Sequence, residues 1–228
     1  MISAKSIILF DFDGVLLKHP IASNYQKHRS IRFLQKHFGF DYEKAEQVNK
    51  YNYSTFGHSA ITSYNHPYLI KKYNEFVFDQ NEQLYKNTII KKEIMQKCDK
   101  QMTNVIELQR KLDESNVCFD MGIFTNAPLS WIETFAPSYK TIFNEDLIFT
   151  SSNIVTSNQL KPNEYIYTYV TNYINTLHWD VSDINIHFID DSRVNLMNAK
   201  KNNWEVYHYK NNDIFDHVSN AIVNYSII

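Results

Sequence analysis

Two carboxylates one residue apart, Asp11 and Asp13, stand directly before a glycine, Gly14. Acids this close repel each other, and the pair needs a cation or a shared proton. A hard divalent cation such as Mg²⁺, together with a phosphate group, is the usual partner of such oxygens. Gly14 lets the chain turn sharply and brings its N–H close to whatever the carboxylates hold. Taken alone the string reads equally well as a polar turn, because Asp and Gly are ordinary turn residues.

The elements around the pair sharpen the reading. Ile7-Ile8-Leu9-Phe10 is a short apolar run ending at the acids. Such a run fits a strand over residues 6–11 that is buried on both faces, as in a parallel sheet. Ligand sites of open α/β sheets lie just beyond the carboxyl ends of the strands. Three further polar groups fall at similar places. Thr125-Asn126 follows a strand over residues 118–124, and Asp190-Asp191 follows one over 185–189. Lys161 precedes Pro162, which suits the first position of a helix running through Ile166, Val170 and Ile174. A short strand is expected over residues 146–150, a helix carries Val194, Met197 and Ala199, and Asn203 suits a left-handed stop. A last strand runs from Trp204 to Tyr209, before a closing helix over 214–224.

These motifs, in this order, resemble the haloacid-dehalogenase superfamily of phosphohydrolases. Asp11-Phe12-Asp13-Gly14-Val15 resembles its first motif, Thr125-Asn126 its second, Lys161-Pro162 its third and Asp190-Asp191-Ser192 its fourth. The resemblance covers the whole chain. It implies a Rossmann-like α/β core of parallel strands and a helical C1-type cap inserted after the first strand. It implies Mg²⁺ as cofactor, Asp11 as nucleophile, and Asp13 as the acid that protonates the leaving alcohol and then activates water. The metal ligands implied are Asp11, the Asp13 carbonyl, Asp191 and Asp190, with Asp190 equally able to support Asp191 from behind. Thr125 and Asn126 would donate to phosphoryl oxygens, and Lys161 would hold nucleophile and phosphate together. Residue by residue, Thr125 also reads as a turn residue and Lys161 as a solvated lysine. Having both aspartates in the first motif favours phosphate chemistry over dehalogenation, because the dehalogenases lack the second.

Between the first and second motifs the sequence is helical with almost no strand signal. Ile31, Leu34 and Phe38 form one stripe, and Leu69, Tyr73, Phe76 and Val77 another. Gly39 suits a left-handed helix end and Asp41 a following N-cap. Later helical sequence from Ile90 to Leu112 is expected to break near Asp99. The expected division is a core of residues 1–17 and 101–228 and a cap of residues 18–100, sitting over the site as a lid. Tyr51, Tyr53, Phe56, His58 and Tyr64 offer rings with polar edges that could stack on a base, or pack the cap's own core. The Tyr-rich segment ending Phe56-Gly57-His58, with Phe124-Thr125-Asn126 and Phe188-Ile189-Asp190-Asp191-Ser192, resembles the yeast-type pyrimidine 5′-nucleotidases. Gly14-Val15-Leu16-Leu17 is instead closer to the sugar-phosphate phosphatases and mutases. The expected partner is therefore a small phosphorylated metabolite, first a nucleoside monophosphate. Alternatives are a sugar phosphate or phosphoglycolate, a β-phosphoglucomutase-like isomerisation, and a binding protein that keeps the fold without turnover.

Composition fits an ordinary globular protein and not a disordered one. The chain has 228 residues, 43% hydrophobic and 21% charged, with a net charge of −2. Mixed charge without a basic stripe argues against a nucleic-acid polymer or an anionic membrane as partner. No apolar run approaches the roughly 18 residues that span a bilayer. The first apolar segment runs straight into Asp11, unlike a signal peptide. Two cysteines without close spacing, Cys98 and Cys118, fit free thiols in a reducing, cytoplasmic setting and read as buried apolar fillers. The nine histidines show no metal-ligand spacing.

Overall fold

Along the first strand, β1 (Lys5–Phe10), side chains alternate between two hydrophobic layers: Ile8 and Phe10 enter one, Ile7 and Leu9 the other. All four are fully buried. That period of two on a doubly covered strand makes β1 the centre of the sheet. The computed structural model describes residues 4–59, 67–79, 81–153 and 159–226. Its other strands are β2 (Phe119–Phe124), β3 (Ile148–Phe149), β4 (Ile184–Asp190) and β5 (Glu205–His208). All neighbours pair in parallel, in the order β3-β2-β1-β4-β5.

The described helices are α1 (Pro20–Phe38), α2 (Tyr42–Phe56), α3 (Pro67–Val77), α4 (Gln83–Lys86) and α5 (Thr88–Glu114) before β2. After it come α6 (Leu129–Phe135), α7 (Glu164–Leu177), α8 (Arg193–Lys201) and α9 (Asp213–Ser226). One layer joins Ile8, Phe10, Met121 and Ile123 to Val105 and Leu108 of α5, Trp131 of α6 and Val218 of α9. The other joins Ile7, Leu9 and Phe188 to Tyr167 and Val170 of α7 and Leu196 of α8. The α/β class, with a parallel sheet covered on both faces, is therefore as expected. No helix among the described residues is long and apolar enough to cross a membrane.

Local signals act as their chemistry suggests. Gly39 ends α1 at φ 69°, Asp41 caps α2 by accepting from Lys44 N–H, and Asn203 is left-handed at φ 62°. Several expectations need correcting. Helix α5 runs unbroken past Asp99, because Cys98, Met102 and Val105 keep one apolar stripe facing the core. Residue 100, expected as a boundary, lies inside this helix. Helix α7 begins at Glu164, after Pro162, because the Asn163 side chain provides the cap by accepting from Tyr165 N–H. The stretch expected as a strand over 146–150 is a short 3₁₀ turn over Glu145–Leu147 followed by the two residues of β3. Cys118 is exposed at the start of β2, and only Cys98 is a buried filler. Val194 and Met197 face solvent, so α8 packs through Leu196 and Ala199.

Candidate active site

The register of the sheet assembles the site. Phe10 pairs with Ile123 and with Ile189, so Asp11 comes level with Asp190 one residue further on. Asp11 N–H extends the ladder to Ile189 O at 2.9 Å, and Thr125 N–H does the same to Phe149 O at 2.9 Å. Asp11, Thr125 and Asp190 therefore meet at the carboxyl edge of three adjacent strands.

Lys161 lies among them, 1% exposed. Its ammonium bonds Asp11 Oδ1 at 3.0 Å and Asp190 Oδ2 at 2.7 Å. It also lies over the rings of Phe124 and Phe188, 5.2 and 5.0 Å from their centroids. Burial works against the lysine's charge, but Asp11 and Asp190 outweigh it and raise its pKa. Asp11 is pushed well above the ordinary carboxylate range, first by burial and then by Asp190 and Asp191, with Lys161 opposing.

Asp190 is fully buried and richly supplied with donors. Oδ1 accepts from Ser192 N–H at 2.7 Å and from Asn195 Nδ2 at 3.2 Å. Oδ2 accepts from Asn195 Nδ2 at 2.9 Å in addition to Lys161. Asp191 is exposed, and its pKa is raised by burial of its carboxyl and by Asp190. One carboxylate oxygen each from Asp11, Asp190 and Asp191 lie within 4.8 Å of one another. Such a set of hard oxygens on a shared focus, short of positive charge, fits a Mg²⁺ ion.

Asp13 stands apart from that cluster. Its Oδ1 accepts from Trp131 Nε1–H at 3.0 Å and its Oδ2 from Gln26 Nε2–H at 3.1 Å. Burial raises its pKa to about 6, with the Trp131 and Gln26 bonds opposing. Gly14 adopts φ +88°, and a Cβ there would collide with the Asp191 carboxylate. Its N–H bonds Leu17 O at 2.9 Å. The expectation that this N–H approaches a ligand is therefore corrected: Gly14 contributes room, because its donor closes the turn.

The second motif divides. Thr125 is buried, and its hydroxyl accepts from Ala127 N–H at 3.2 Å, which leaves its proton to donate. Asn126 has no such freedom. Its Nδ2 donates to Gly57 O at 3.0 Å and to Lys161 O at 2.7 Å, and its Oδ1 accepts from Lys161 N–H at 2.9 Å. Both amide hydrogens are used, so a bond from Asn126 to phosphate falls to its backbone N–H and not to its side chain. Asn126 ties the end of α2 to the lysine segment.

The cap aromatics also divide. The Tyr53 ring is 65% exposed. Desolvation, then Asp11, Asp13, Asp191 and Asp190, raise its pKa, so it lies within electrostatic reach of the acids. His58 is buried, its ring 4.4 Å from that of Tyr73, and burial lowers its pKa to about 4. It packs the insert and offers no open face to a substrate, which corrects its assignment to binding. Phe56 packs beside Ile70 and Leu160. Tyr64 lies outside the described residues.

Gln26, Trp131 and Asn195 were not legible as site residues. A glutamine on an amphipathic helix reads as a solvated position, and a tryptophan as core. Only Asn195 had a signal, standing three residues beyond Ser192, whose hydroxyl caps α8 by accepting from Asn195 N–H.

No protein-family model and no curated protein matches the chain. Solved structures do. A HAD-family enzyme from Bacteroides thetaiotaomicron aligns at 17% identity over 95% of this chain and 98% of its own, with a TM-score of 0.50. The wild-type form of that enzyme, in complex with magnesium and inorganic phosphate, aligns at 19% identity over 91% and 95%, with a TM-score of 0.45. A hydrolase from Streptococcus pneumoniae TIGR4 aligns at 15% identity over 96% and 100%, with a TM-score of 0.43. At such identities the likeness concerns the fold, and the first of these alignments gives the chain the haloacid-dehalogenase-type fold.

Proposed function

We propose that this protein is a Mg²⁺-dependent phosphomonoester hydrolase that works through an aspartyl-phosphate at Asp11. The observation that carries the reading is the Asp11–Lys161–Asp190 chain of ion pairs at the sheet edge, with Asp191 beside it and Asp13 held separately.

Asp11 and Asp191 are the carboxylates best able to hold the ion, because the oxygens of Asp190 already accept from Lys161, Ser192 and Asn195. When bound, Mg²⁺ offsets the repulsion between the Asp11 carboxylate and the phosphate and polarises the phosphoryl group. An Asp11 oxygen forms the new bond to phosphorus while the bond to the leaving oxygen breaks. Asp13 gives its proton to that oxygen. In the second step Asp13 takes a proton from water, whose oxygen displaces Asp11 and releases phosphate. A pKa of about 6 keeps both forms of Asp13 accessible near neutral pH. Lys161 stabilises charge on the nucleophile and the phosphoryl oxygens, and the Thr125 hydroxyl is a fitting donor to one of them.

The substrate is a small phosphorylated metabolite, with a nucleoside monophosphate as first choice. Tyr53 supports that choice, since it is exposed and lies within electrostatic reach of the acids. A second reading, a sugar phosphate, is favoured by Gly14-Val15-Leu16-Leu17 and by the withdrawal of His58 into the packing of the insert. Free Cys98 and Cys118 agree with a cytoplasmic setting. The test is phosphate release with Mg²⁺ from a panel of nucleoside monophosphates and sugar phosphates. Preference for pyrimidine monophosphates supports the first reading, and preference for a sugar phosphate the second. Transfer between sugar positions without release would mark a mutase. Absence of both release and transfer would overturn the enzyme reading.

A further inference from the structure

The two donors on Asp13 come from different parts of the chain. Trp131 belongs to α6, which packs in the layer under the sheet; Gln26 belongs to α1, the first helix of the insert. Trp131 is fully buried, with the rings of Phe78 and Phe135 at 5.1 and 4.6 Å. It is a fixed donor. Gln26 is half-buried and reaches the carboxylate along a flexible side chain.

Both donors are neutral. A lysine or arginine here would hold Asp13 ionised, whereas neutral N–H groups aim the carboxyl and leave it able to carry a proton. An indole N–H accepts nothing, and an amide N–H accepts nothing either. The indole can take no proton from Asp13, and Gln26 meets it through Nε2–H and not through Oε1, so a proton on Asp13 stays available to an oxygen arriving from the cleft. With one donor on each oxygen, the plane of the carboxyl is set by two bonds on opposite sides.

We infer that Gln26 is a positioning residue that aims Asp13 for proton transfer to the leaving alcohol, so that this step requires α1 to be seated against the sheet edge. The inference rests on the phosphohydrolase reading given above.

Leaving groups separate this role from a structural one. Expulsion of an alkoxide needs a proton in the transition state, while a nitrophenolate is a weak base and departs without one. The quantity to compare is kcat/KM, which reports the steps through departure of the leaving group. Gln26→Ala, and Gln26→Met as a variant that keeps length and packing, are assayed with Mg²⁺ on 4-nitrophenyl phosphate, uridine 5′-monophosphate and ribose 5-phosphate. Thermal melts establish that each variant is folded. The expected result is a loss of kcat/KM on the alkyl esters at least tenfold greater than the loss on the nitrophenyl ester, carried by kcat more than by KM. Equal losses on all three, or no loss in a folded variant, would overturn the role of Gln26 and leave the phosphatase standing. A wild-type protein that hydrolyses none of the three would overturn the phosphatase reading and this inference with it.

Discussion

Asn126 and Lys161 are joined twice: the amide of Asn126 donates to the Lys161 carbonyl at 2.7 Å, and its oxygen accepts from the Lys161 N–H at 2.9 Å. The pairing copies a strand ladder with a side chain. It fixes the backbone from which the lysine reaches Asp11 and Asp190. Because the second amide hydrogen goes to Gly57 O at 3.0 Å, the same residue holds the end of α2. A Cβ on Gly57 would collide with the Lys161 carbonyl, so the two segments meet backbone to backbone.

Asn126→Ala removes three hydrogen bonds and strands the backbone groups they served. At about 1 kcal/mol for each bond, the expected loss is on the order of 3 kcal/mol. Activity should fall at least tenfold, as the lysine loses its anchor. Urea denaturation and steady-state kinetics check both. A variant with unchanged stability would show that the clamp contributes nothing.

Lys161→Met leaves the Asp11 and Asp190 carboxylates facing each other without a cation. Breaking a buried pair in this way costs about 3–5 kcal/mol. Asp11, already raised by burial and its acidic neighbours, then loses the lysine that lowers it. An acid whose folded pKa is raised loses stability as pH rises from its unfolded value through its folded one. The deficit of the variant should therefore be larger at pH 8 than at pH 5, and saturating Mg²⁺ should reduce it. A pH-independent deficit would contradict the assignment of Lys161 as the counter-charge.

Gly14→Ala tests where the metal is held. The new Cβ meets the Asp191 carboxylate, and φ +88° costs a residue other than glycine about 1–2 kcal/mol. Displacing Asp191 should weaken Mg²⁺ binding at least tenfold, measured as the Mg²⁺ dependence of the melting temperature. Wild-type Mg²⁺ affinity in this variant would remove Asp191 from the ligand set.

Much of this geometry was legible in the sequence because parallel sheets place polar residues at strand ends. Asp11, Thr125 and Asp190 could be read from apolar runs that stop at a polar residue. What was not legible depends on contacts between distant segments. Nothing in the order of residues tells that Asn126 spends its hydrogens on Gly57 and Lys161, or that Gln26 reaches Asp13. His58 looked like a binding residue because an imidazole beside tyrosines has the same signature in a cleft and in a core; only burial separates the two. Asp99 looked like a break because a single charge within an apolar stripe can end a helix, yet here the stripe passes beside it.

Two buried histidines predict the acid limb of the stability curve. Burial lowers His58 and His187 from 6.5 to about 4. The unfolded chain takes up protons below pH 6.5 that the folded protein refuses until about pH 4, so stability falls as pH drops through that window. Between pH 7.5 and 5, His187 should account for on the order of 2 kcal/mol of that loss. His187→Gln should remove its share, read from denaturation at the two pH values. An undiminished pH dependence in the variant would show that His187 titrates normally.

The most direct measurement is to trap the phosphoryl group. The protein is mixed with Mg²⁺ and the best substrate of the panel, quenched in acid within one turnover, and its peptides are weighed. The account predicts one phosphoryl group on the peptide containing Asp11 in the wild type, and neither trapped group nor turnover in folded Asp11→Asn. Full phosphate release by Asp11→Asn would contradict it.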